Sequence, residues 1–162
     1  MSTAKTTVLA MHRREYDALN DVLDRVAPEH RDEPGVCGKW SIRQMLAHMS
    51  FWNLYPLMML EYALGGRTFD FDHADDEAVN VRNVAAREGF SFDTLRTEFD
   101  VTFQAVMSAL EALPDEEFEP DSPLAQMLGD SVDGVFANNT YAHYAEHRFQ
   151  IEAWLDAADN NV

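Results

Sequence analysis

A chain of 162 residues with 46% apolar residues and 11% aromatics has the size and apolar content for a single domain, residues 1–162, with a full core. Its 29 acidic residues against 12 basic ones give a formal charge of −17. Such a balance repels phosphate backbones and anionic lipid, and so argues against nucleic acid and membrane partners. Lysine is confined to Lys5 and Lys39, which fits a halophilic host or an arginine-favouring genome equally well. No window approaches the apolar length of a transmembrane helix. Met1 to Thr7 lacks the basic-then-apolar layout of a secretory signal, and the lone Cys37 has no internal disulfide partner. Both features point to the cytoplasm.

Four segments carry helical periodicity, with no strand alternation and no repeat. The first runs from about Ala4 to Val26, with Val8, Met11, Leu19, Leu23 and Val26 near one face and Pro28 beyond its end. The second opens at Ser41-Ile42-Arg43-Gln44, a capping-box pattern in which Ser41 and Gln44 satisfy free amides reciprocally. It reaches Leu64, where Gly65-Gly66 stops it, and Pro56 inside it predicts a kink or local break. The third spans Ser91 to about Leu113, ahead of Pro114, and the fourth runs from Ser131 to about Ala158.

The stretch from Gly65 to Phe90 is long for a bundle connection. The second helix is roughly 36 Å long at 1.5 Å per residue, and the stretch is long enough to return along it. The third helix then starts in the same direction as the second. The expected fold is all-α: an up-down-down-up four-helix bundle with a long crossover loop between helices two and three. The second and fourth helices are then antiparallel.

His143 and His147 stand four apart on the fourth helix, on the stripe that also holds Phe136, Thr140, Ile151 and Trp154. That spacing lets two imidazoles converge on one ion. His48 lies on an apolar stripe of the second helix with Met45, Trp52, Tyr55 and Met59. It falls roughly 10 Å from that helix's start, and His147 falls roughly 16 Å from the opposing helix's end, so the three share one layer. Taken singly, each histidine reads as well as a core residue bonded to a neighbouring hydroxyl or carboxylate. Taken together, they read as ligands of a divalent metal. Three neutral nitrogens leave coordination positions open, as catalytic zinc requires.

The run Gly38-Lys39-Trp40-Ser41-Ile42-Arg43-Gln44-Met45-Leu46-Ala47-His48 resembles the start of the second helix in DinB/YfiT-like proteins. So does the loop cluster Asn80, Arg82 and Asn83, and Asn139 to His147 resembles their last helix. The likeness spans nearly the whole chain. It implies an up-down-down-up bundle, often a homodimer, with a three-histidine zinc or nickel site. It also implies thiol-dependent transfer using a low-molecular-weight thiol, or hydrolysis.

His143-Tyr144-Ala145-Glu146-His147 also matches the inverted zinc-peptidase motif, which needs a further acidic ligand well downstream on another helix. The fifteen residues after His147 lie within or just past the same helix, so the peptidase reading fails. Glu146 is a candidate general base beside the metal, set against a solvated helix residue. Tyr141 and Tyr144 can bond a substrate or pack; Asn53 can support the site or lie at the surface. Arg82, Arg87 and Arg148 are candidate anion contacts. Cys37 reads as a buried cysteine, with a reactive thiol or extra ligand as the alternative. Three further histidines stay outside the site: His12 off the best stripe, His30 and His73 in exposed loops. The reading is a metal-dependent enzyme on a small-molecule substrate, activating water or a thiol. The alternative is a non-catalytic, metal-stabilised binding or sequestering protein.

Overall fold

In a computed structural model of the chain, residues 3–70 and 76–159 are described. Among them there is no strand, and seven α-helices account for the regular structure: α1 Thr3–Asp24, α2 Ile42–Leu64, α3 Asp76–Ala85, α4 Phe92–Ala112, α5 Pro123–Leu128, α6 Val132–Ala137 and α7 Tyr141–Asp159. No helix of these residues is long and apolar enough to cross a membrane.

The capping box forms as the sequence requires. The Gln44 amide donates to Ser41 Oγ, and the Ser41 amide donates to Gln44 Oε1 at 3.0 Å. Helix α2 continues through Pro56, although the proline deprives the Trp52 carbonyl of its usual donor. It ends at Leu64, where Gly66 takes the left-handed conformation with φ 64°.

Three expectations change. The Gly65–Phe90 stretch is not a bare loop, because α3 occupies its second half and packs on α2. That places Asn80, Arg82 and Asn83 on a helix. The stretch before residue 131 holds a short 3-10 turn, Asp115–Phe118, and then α5. Helix α5 has signals of its own: Ser122 accepts from the Ala125 amide, Pro123 opens the first turn, and Gly129 closes it with φ 77°. Finally, the fourth expected helix is two helices, α6 and α7, separated by a turn over residues 138–140. There the Asn139 side chain donates to the Val135 carbonyl and the Thr140 hydroxyl donates to the Phe136 carbonyl, side-chain bonds that compete with helix continuation.

Helix α2 packs along α4, and α1 packs along α7. Leu19, Leu23, Met45, Leu46, Met49, Leu95, Phe99, Leu110, Phe136 and Ile151 fill the space between them with essentially no exposure. A smaller cluster of Trp52, Tyr55 and Val79 lies under α3. Lys5 is also buried, and its ammonium caps α4 by donating to the carbonyls of Glu111 and Leu113 at 2.9 and 2.5 Å.

One polar chain crosses the core. Tyr144 Oη donates to Asn53 Oδ1 at 2.6 Å, Asn53 Nδ2 donates to Thr102 Oγ1 at 3.0 Å, and Thr102 donates to the Phe99 carbonyl at 3.0 Å. These bonds tie α7 to α2 and α2 to α4. Asn53 is fully buried, which excludes the surface placement that was one of its two expected positions. Replacing Tyr144 by Phe removes the hydroxyl that donates to the buried Asn53 Oδ1. The variant is expected to lose about 1–3 kcal/mol in urea unfolding while keeping its helical circular dichroism.

Candidate metal centre

Each histidine reaches the site from a different turn of a rigid helix. His48 sits seven positions past the Ser41 cap on α2, and His143 and His147 occupy successive turns at the start of α7. Tyr144, next to His143, points about 100° away on a helix of 3.6 residues per turn, so its bond to Asn53 turns both imidazoles outward from the core.

The three rings meet through their Nε2 atoms. His143 Nε2 lies 2.9 Å from His48 Nε2 and 2.8 Å from His147 Nε2. All three ligand atoms fall within 4.8 Å of one another, close enough to bind a metal ion. A tetrahedral zinc with bonds of 2.0–2.1 Å sets its ligand nitrogens about 3.3 Å apart, so small ring movements fit the set to an ion.

The electrostatics suit ligation. Burial pushes the His48 imidazole down to about 3, helped by neighbouring His147. Burial also holds His143 well below its ordinary range, with His147 and His48 adding to the effect, and it lowers His147. Each shift favours the neutral imidazole, the form in which a histidine ligates a metal. The rear nitrogens differ. His147 Nδ1 lies 2.8 Å from Gln150 Oε1, which can only accept, so Nδ1 carries the proton. Nδ1 of His48 and of His143 are buried without a hydrogen-bond partner among the described residues. The neighbouring Asn80 side chain opposes the fall at His48, and the Asn139 backbone opposes it at His143.

A cleft of about 430 Å³ opens on these rings, with Trp40 and Trp52 beside His48 and with Asp76, Glu77 and Glu146 on its walls. Trp52 donates its indole proton to Asn80 Oδ1 at 2.8 Å, which fixes the ring against α3. Glu146 is exposed on the same cleft. Cys37, half-buried, also lines it; burial and Glu146 push its thiol up, and a hydrogen bond from Gln150 opposes them. Cys37 is not among the converging ligand atoms.

The remaining residues fall elsewhere. Tyr144 is completely buried, so it packs and cannot reach a substrate. Tyr141 bonds Asp133 at 3.0 Å and meets His12 edge to face. His12 is a core residue, with Nδ1 2.8 Å from the Val8 carbonyl and Nε2 2.8 Å from Thr140 Oγ1. His30 is half-buried against Trp154, and His73 lies outside the described residues. Arg87 is held by Glu98 at 2.7 Å, and Arg148 by Glu15 and Glu152, so neither is free for an anion; Arg82 is exposed. Gln150 is a neighbour the sequence reading missed, and Asn80, named there only for the family likeness, bonds Trp52 beside the site.

The sequence model described as the DinB superfamily matches residues 11–151. The chain belongs to the DinB superfamily. Solved structures share the fold over nearly the whole length. An uncharacterised protein from Escherichia coli UTI89 is 15% identical with a TM-score of 0.79, covering 98% of this chain and 95% of its own. The colibactin self-resistance protein ClbS, in complex with a dsDNA, is 14% identical with a TM-score of 0.78, covering 92% and 93%. The sibling lethal factor precursor DfsB is 15% identical with a TM-score of 0.78, covering 98% of each chain. No curated protein matches the sequence. At these identities the likeness establishes the fold.

The ClbS complex corrects one expectation. Nucleic acid was excluded as a partner on net charge, yet a protein of this fold is seen bound to dsDNA. Net charge sums the whole surface, whereas binding answers to local groups, so −17 excludes nothing of that kind.

Depressed histidines make stability depend on pH with a definite sign. Above about 6.5 the imidazoles are neutral in both states, and they cost nothing. As pH falls from 6.5 toward 3 the unfolded chain takes up protons that the folded site refuses, so stability is lost at about 1.4 kcal/mol per pH unit per proton. Thermal melts of metal-free protein between pH 7 and 5 are expected to fall steadily, and His48→Gln is expected to flatten that slope.

Proposed function

We propose that this chain is a metal-dependent enzyme in which His48, His143 and His147 hold one divalent ion, zinc or nickel, against a small-molecule substrate in the cleft. The observation that carries the reading is the meeting of three neutral Nε2 atoms, drawn from α2 and α7, at a cleft wall. An ion held by three imidazoles supplies a Lewis acid that makes a water or a thiol more acidic, serving hydrolysis in the first case and transfer to a low-molecular-weight thiol in the second. Glu146 adjoins His147 in sequence, and its exposed carboxylate is the base that takes the nucleophile's proton. Trp40 and Trp52 keep water from the flank of His48. Of the arginines that a thiol cofactor's carboxylates would need, Arg87 and Arg148 are already paired and exposed Arg82 is not among the residues lining the cleft, which favours water as the nucleophile.

The proposal carries a topology: α1, α2, α4 and α7 as an up-down-down-up four-helix bundle in one cytoplasmic domain, with α3 on the crossover. Cross-contacts support it. Arg43 of α2 donates to the carbonyls of Glu88 and Phe90 just before α4, and ten residues on Asn53 meets Thr102, so α2 and α4 run together. Arg96 reaches Asp24 while Tyr16 reaches Asp100, so α1 and α4 run oppositely.

A second reading is a non-catalytic binder, metal-stabilised or sequestering. ClbS is described as a self-resistance protein and is bound to dsDNA, which supports a binding role and makes DNA a ligand to test. Elemental analysis of untagged protein separates the readings. Wild type is expected to carry about one divalent ion per chain and His143→Ala to carry none, with loss of turnover in a panel of hydrolysis and thiol-transfer substrates. Metal without turnover favours the binder, and metal-free wild type ends the metal reading.

A further inference from the structure

Of the three imidazoles, one is oriented by a side chain on its far nitrogen. We propose that Gln150 is a positioning residue whose Oε1 accepts the Nδ1 proton of His147, so that the Nε2 lone pair faces His143 and His48. The inference rests on the metal reading above and deepens it.

The geometry is a 2.8 Å contact between residues one turn apart on α7, a spacing that the helix itself maintains. A neutral imidazole carries one ring proton. An acceptor at Nδ1 draws the proton there and frees Nε2, whereas a donor at Nδ1 would send it to Nε2, where a ligand needs its lone pair. Gln150 presents its Oε1, the acceptor end of its amide, to His147 Nδ1. Ligating histidines generally donate their second nitrogen to such an acceptor, and removal of the acceptor weakens metal binding. His48 and His143 have no bonded partner at Nδ1, so the orienting role falls on Gln150 alone among the three.

The test uses full-length, untagged wild type with Gln150→Leu, which removes the acceptor at similar size, and Gln150→Glu, which keeps it. Nitrogen-15 shifts of the His147 ring in metal-free protein at pH 8 are expected to report Nδ1–H in wild type and in the Glu variant. The Leu variant is expected to shift toward Nε2–H. Chelator competition with zinc is expected to show a roughly 10- to 100-fold weaker affinity for the Leu variant and near wild-type affinity for the Glu variant. Thermal melts of the metal-free proteins check that each folds. An Nε2–H tautomer in wild type overturns the proposal. So does a Leu variant that binds zinc as tightly as wild type, or a Glu variant weakened as much as Leu. Wild type that binds no zinc overturns the metal reading instead, and the tautomer measurement still decides whether Gln150 orients the ring.

Discussion

Three imidazoles facing one point in a cleft are tolerable only if they stay neutral, and burial keeps them so against the opposing pull of Asn80, Asn139, Gln150 and Glu146. Burial disfavours protonation of each, and His147 disfavours it in both His48 and His143. Polar groups that are buried and unbonded cost on the order of 1–3 kcal/mol, and the unpartnered Nδ1 atoms of His48 and His143 carry part of that penalty. The three ligand nitrogens also lie close enough together for one metal ion to take up all of them.

The cluster in turn depends on the register between α2 and α7. Buried polar bonds add to apolar packing in fixing that register. Tyr144 and Asn53 lock α7 to α2, and Thr102 extends the lock to α4. At the other side of α7, Thr140 sits against His12 of α1 at the turn that starts the helix. Helix α7 is thus pinned from two neighbours within its first turns, which are the turns that bear His143 and His147.

Much of this was legible in the sequence because it depends on local pattern. The Ser41–Gln44 cap, the Gly65–Gly66 stop and the four long amphipathic stretches each follow from spacing along the chain, and so does the pairing of His143 with His147. The break between α6 and α7 was not legible. It rests on Asn139 and Thr140 turning their side chains onto the preceding turn, with Thr140 also meeting His12, 128 residues away. The place of Asn53 was not legible for the same reason. An asparagine looks like a surface residue until partners on two other helices are known. Helix α5 is a different case, because Ser122, Pro123 and Gly129 carry ordinary start and stop signals that a search for long periodic segments passes over.

Charge illustrates the same limit at the level of function. A formal −17 describes the whole molecule, while a ligand meets the cleft, where Asp76, Glu77 and Glu146 stand among the described lining residues and no Lys or Arg does. Those carboxylates oppose an anion approaching the histidines, and a divalent ion bound there would offset most of their charge. The local groups, more than the surface total, set what the cleft admits. The same reasoning separates the fold, which ClbS and DfsB share at about 15% identity, from the chemistry, which lives in a few side chains and their immediate partners.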